Sequence, residues 1–175
     1  MNWRFWQRQP ATHHPVVHVT EVVLAQTLRS LQSFGDSERP HEGIVYWAGR
    51  ATPGEWVVTT VIIPEAVTTR GSFRTSAAAN ARVVALLATA DLVLLAQVHS
   101  HPGTIVDHSG GDDRDALMPY QDMLSIIVPN YGRTVRWPLD QWGVHRFEHG
   151  RFRRLRQQEV TSTIKRVPTT LGGAV

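Results

Sequence analysis

The sequence predicts an α/β domain, a single mixed β-sheet flanked by helices, on three observations. Short apolar runs rich in branched residues recur at 16–19, 44–49, 92–98 and 123–128, the lengths and compositions of strands. Two longer stretches, 20–34 and 76–89, have the length and residue types of helices. Turn signals separate these runs, at Thr52-Pro53-Gly54, Pro129-Asn130-Tyr131-Gly132 and Glu148-His149-Gly150. With 175 residues, of which 42% are hydrophobic, the chain has the size of one domain with a real core.

Composition narrows the function classes. There is no cysteine, which excludes disulfides, thiol nucleophiles and Cys-ligated zinc and fits a reducing cytoplasm. Met1-Asn2-Trp3-Arg4-Phe5-Trp6 lacks the apolar core of a secretory signal, and the apolar runs are too short to span a bilayer, so a cytoplasmic protein without a membrane partner is expected. A net charge of +3 is mild, and the basic residues gathered at 146–166 read as a solvated face rather than a nucleic-acid surface.

In chain order, residues 1–15 form an arm in which Trp3, Phe5 and Trp6 interleave with arginines, and the aromatics are expected to tuck against the domain or a neighbouring subunit. A strand at 16–19 carries His18 in a structural role. Thr20 caps a helix to about Phe34, with Leu24, Leu28 and Leu31 as its stripe and Gly35 after it. Strands follow at 41–49 and 55–63, the second stopped by Pro64. Residues 67–75 read as a polar connection. In the helix at 76–89 the small residues Ala77, Ala81, Ala85 and Ala88 are expected to pack close to the sheet. The run 92–98 reads as a strand buried on both faces. The strand at 123–128 precedes weaker strands at 135–137, 142–147 and 152–155. Beyond about residue 157 periodicity is lost, so the domain is expected to span 16–157 with a flexible tail at 158–175 ending Leu171-Gly172-Gly173-Ala174-Val175.

The chemistry gathers at His99-Ser100-His101-Pro102-Gly103. Side chains two apart on a strand share a face, and Pro102 keeps His101 extended. Asp112 offers a third, anionic ligand and leaves the fourth position of a tetrahedral zinc site open. His108 and Asp113 are the alternative ligands in sequence. Ser109-Gly110-Gly111-Asp112 is also a capping box, and either role suits a helix start. A two-histidine, one-carboxylate iron site would use the same ligand types. No HExxH run exists, and the Cys-x-x-Cys pair of zinc deaminases is absent.

Glu42, then His99-x-His101-Pro102, six residues, Ser109, two residues and Asp112 resembles the JAMM motif of the JAB/MPN metalloprotease family at every spacing. The resemblance covers about 16–155 and implies a JAB/MPN, cytidine-deaminase-like architecture. It implies Zn2+ held by His99, His101 and Asp112, Glu42 as general base and Ser109 as donor to an oxyanion. The implied reaction is hydrolysis, by a metal-activated water, of the bond after the C-terminal glycine of a ubiquitin-like protein. Compact bacterial members are associated with ubiquitin-like conjugation and antiviral systems, so E1/E2-like proteins of the same operon are expected partners. Release of a small amino acid from a sulfur-carrier protein, or a non-catalytic MPN scaffold, are the alternatives within the family.

Overall fold

The computed structural model describes residues 14–133 and 139–168, with residues 113 and 114 described by their backbone alone. Residues 1–13 of the arm expected at 1–15, the strand expected at 135–137 and the Leu171-Gly172-Gly173 terminus lie outside the described residues.

Among the described residues, ten strands and four α-helices follow in the order β1 (Val16–Thr20), α1 (Glu21–Gln32), β2 (Ile44–Thr52), β3 (Glu55–Ile62), β4 (Ala66–Thr69), β5 (Ser72–Thr75), α2 (Ala77–Thr89), β6 (Val93–Ser100), α3 (Gly110–Arg114), β7 (Leu124–Val128), β8 (Gly143–Glu148), β9 (Arg151–Arg154), α4 (Gln157–Thr163) and β10 (Ile164–Val167). Eight strands make one mixed sheet in the order β10-β1-β3-β2-β6-β7-β8-β9, while β4 and β5 form a separate hairpin. The predicted α/β class therefore holds, with a mixed sheet covered by helices on its two faces.

Local chemistry accounts for the helix ends. The Val23 N–H donates to Thr20 Oγ1 and the Ala79 N–H to Ser76 Oγ, each satisfying an orphan donor of the first turn. Gly35, at φ +73°, turns the chain after α1. On one face of the sheet Leu24, Leu28 and Leu31 of α1 pack with Val45, Trp47, Val98, Ile126 and Val160. The buried Trp47 indole N–H donates to Thr27 Oγ1, which satisfies the polar edge of that ring. On the other face Val83 and Leu87 of α2 meet Ile44, Tyr46, Leu94 and Phe73. β6, between β2 and β7, is buried from Leu94 to Ser100, as its sequence predicted.

Three expectations are corrected. Residues 67–75 are not a mere connection but the β4–β5 hairpin, whose Thr and Val residues pair through backbone bonds. In α2 the residues facing the sheet are Ala79, Val83 and Leu87, and Ala77, Ala81, Ala85 and Ala88 are exposed. Burial followed the larger apolar side chains, which remove more area from water. Residues 158–167 are not a flexible tail: α4 buries Val160 and Thr163, and β10 pairs in parallel with β1, Val17 opposite Ile164. Elements of seven and four residues are too short to show a period.

Candidate metal centre

β6 ends where the site begins. His99 and His101 share a face at its C-terminal end, and their Nε2 atoms approach to 3.2 Å. The third member comes from α3. Its N-cap, Ser109, accepts the Asp112 N–H at 3.3 Å, and the Ser109 N–H donates to Asp112 Oδ2 at 2.7 Å. The capping box and the ligand role coexist, because the box holds the carboxylate with Oδ1 toward His99 and Oδ2 toward His101. Asp112 Oδ1 lies 3.3 Å from His99 Nε2, and Oδ2 lies 3.6 Å from His101 Nε2. One ligand atom from each of the three residues lies within 4.8 Å of the others.

The donor set fits a divalent cation. His101 Nδ1 lies 3.0 Å from the Ile105 carbonyl, which can only accept, so Nδ1 carries the proton and Nε2 faces the cluster. His99 is fully buried. Two imidazole nitrogens and a carboxylate packed this closely need a proton or a cation among them. Burial pushes the His99 imidazole below its ordinary pKa, which favours the neutral ligand form. Burial also works against charge on His101, but hydrogen bonding to Asp112 and to Ile105 outweighs it and raises that pKa. Burial alone would raise the Asp112 carboxyl, yet its bonds to His101 and His99 hold it far below the carboxylate range. Asp112 is therefore a permanent anion, and metal and proton compete for His101.

Glu42 precedes β2 and faces the same cleft, a space of about 150 Å³ lined also by Phe73, His101, Ser109, Gly111 and Asp112. Its placement comes from two sides. The Glu42 N–H donates to the Thr69 carbonyl of the hairpin, and the next residue, Gly43, donates its N–H to Ser100 Oγ at 2.9 Å. Burial pushes the Glu42 carboxyl up to about 7, against the opposing pull of His101. Such a group takes and returns a proton near neutral pH. Ser109 Oγ accepts two backbone N–H groups, which leaves its own O–H to donate.

All five residues of the motif therefore meet at one place. His108 does not join the ligands: its Nε2 lies 2.8 Å from Ser125 Oγ, and its ring centroid lies 4.2 Å from that of His145. The Asp113 side chain lies outside the described residues. Sequence reading missed a polar row beneath the site, Gln97, Ser125 and His145, set opposite one another on β6, β7 and β8. Each is a single polar residue inside an apolar strand, and that was the available signal. Burial pushes His145 down to about 3, so the row is neutral there.

The chain is similar to several known proteins. A search of curated proteins finds the probable metalloprotease y4jG of Sinorhizobium fredii, 35% identical over 107 residues. That match takes in 59% of this chain and spans 64% of the relative's length. Among solved structures, a protein of Desulfitobacterium hafniense superposes with a TM-score of 0.65 at 15% identity, over 88% of this chain and 94% of its own, which shows a shared fold. A JAB1/MPN domain protein of Archaeoglobus fulgidus aligns over 88% of this chain and 98% of its own at 15% identity, with a TM-score of 0.48. The model of the prokaryotic homologues of the JAB domain matches residues 24–140 of the 175, and the chain belongs to that family.

Proposed function

We propose that the chain is a cytoplasmic, zinc-dependent metallo-isopeptidase that hydrolyses the bond after the C-terminal glycine of a ubiquitin-like protein. The observation that carries this reading is the convergence of His99, His101 and Asp112, with Glu42 lining the same cleft. A bound divalent cation supplies Lewis acidity, lowering the pKa of water toward ~7 and polarising a carbonyl. His99, His101 and Asp112 would hold it. Glu42 takes a proton from the attacking water at its carboxylate and delivers it to the leaving amine, so the C–O bond forms, the C–N bond breaks and no covalent enzyme intermediate is needed. The Ser109 hydroxyl donates to the oxygen that gains charge as the carbon becomes tetrahedral.

A narrow cleft beside a two-stranded hairpin suits an extended Gly-Gly tail, which binds as an added strand through backbone bonds. The connection between α3 and β7 is short, which fits a compact enzyme that grips one ubiquitin-like protein. Conjugating E1/E2-like proteins are the accompanying machinery on this reading. The test offers the zinc-loaded chain a ubiquitin-like protein with a C-terminal peptide extension and, separately, a sulfur-carrier protein bearing a C-terminal cysteine. Cleavage after the glycine of the first, lost in Glu42→Gln, supports the isopeptidase. Cleavage of the carrier adduct alone moves the assignment to carrier processing. Cleavage of neither by protein shown to hold zinc leaves a scaffold.

A further inference from the structure

Asp112 does not belong to the strand that carries the histidines. The segment 101–109 joins them, and the position of the third ligand depends on where that segment lies. It is docked at four successive residues. The Ile105 carbonyl meets His101 Nδ1. Val106 is buried flat against Gly143 of β8, where an added Cβ would lie 1.8 Å from the Val106 carbonyl oxygen. Asp107 pairs with Arg154 of β9. His108 reaches Ser125 of β7 and packs against the tilted rings of His145 and Phe152, with ring centroids 4.2 and 4.9 Å away.

These contacts differ in what they can fix. The Asp107–Arg154 pair is solvated and is worth little. The His108 contact is partly buried, and its Ser125 partner is fully buried and held in turn by Gln97 Nε2 at 3.0 Å. A hydrogen bond to a fully buried partner is costly to leave unmade. His108 also immediately precedes Ser109, the N-cap that orients Asp112. We propose that His108 is a positioning residue for the metal centre: anchored on Ser125 and His145, it fixes the segment carrying Ser109 and Asp112 and so sets the affinity for the ion. The inference rests on the metal-centre reading above. Partners one step outside the ligands commonly change metal affinity by about 10–100-fold.

The test measures Zn2+ affinity of the full chain by competition with a chromophoric chelator, alongside the Tm of the metal-free protein. Ser125→Ala removes the anchor with almost no change of volume, and His108→Ala removes the positioning side chain. Both are expected to weaken Zn2+ binding by about 10–100-fold. His108→Gln, whose amide can reach the Ser125 hydroxyl, is expected to recover most of that loss. A purely structural role would lower the metal-free Tm and leave the affinity of the folded protein unchanged. Wild-type affinity in both Ser125→Ala and His108→Ala overturns the proposal. Should the wild-type chain itself hold no Zn2+, the metal-centre reading fails and takes the proposal with it.

Discussion

Glu42 illustrates how one buried side chain links stability to chemistry. Only 6% exposed, its carboxyl has a pKa of about 7 in the folded chain, against 4.5 for the free group. Folding therefore favours the protonated form. The sign follows: the metal-free protein loses stability as pH rises from about 4.5 through 7, and the penalty is complete above that. Glu42→Gln removes the titration. It is expected to match the wild type below pH ~4 and to be more stable by about 3 kcal/mol above pH ~8, read as Tm of the metal-free proteins against pH. Saturating zinc should narrow that gap, since a nearby cation favours the carboxylate. The same substitution should lower turnover by about 10²–10⁴ with zinc binding retained, checked by assay and metal analysis on one preparation. Retained wild-type turnover would remove Glu42 from the mechanism.

At the scale of elements, what the sequence revealed depended on whether a short pattern carried its own chemistry. The motif residues were legible because their spacing reflects a strand end, a Pro and a helix cap, all local constraints. The strand β6 was legible as an unbroken apolar run. The hairpin β4–β5 was not: its exposure alternates, but the sheltered side holds Ala66, Thr68 and Thr75 with only Phe73 buried, and Val67 is exposed, so no apolar alternation in the sequence marks it. α2 misled because alanine fits either a tight interface or an open face. Its stripe of Ala79, Val83 and Leu87 predicts a contrast measurable by thermal denaturation. Ala81→Glu, on the open face, should change stability by no more than about 0.5 kcal/mol, whereas Val83→Asp should cost several kcal/mol by burying an unpaired charge. α4 and β10 were hidden for a different reason, because both are short and the pairing of β10 with β1 is long-range. Removing residues 157–175 would bare the outer edge of β1 and the core beneath Val160 and Ile164. Lower Tm and concentration-dependent aggregation are expected for that truncation, as for any unprotected edge strand.

For the whole molecule the metal centre joins parts of the fold distant in sequence. The histidines come from the end of a central strand, Asp112 from a short helix that follows the segment docked on β7 to β9, and Glu42 from just before β2, tied to the hairpin. No described helix is long and apolar enough to cross a membrane. Cohesion comes from the two cores and from whatever ties these segments together. An ion held by the native arrangement alone stabilises the folded state by RT ln(1 + [L]/Kd), about 2.7 kcal/mol at a concentration of 100 Kd. For a chain of this size, about 2–4 °C of Tm accompanies each kcal/mol, so zinc should raise Tm by roughly 5–11 °C. A chelator should return Tm to its starting value. His101→Ala should abolish the shift and Asp112→Asn should reduce it, because one loses a ligand nitrogen and the other the anionic charge. The shift should also shrink as pH falls, since His101 binds its proton more readily than a free histidine and the ion must displace it. A zinc-induced rise in Tm that is equally large in His101→Ala would place the ion elsewhere on the surface and separate the fold from the chemistry assigned to it.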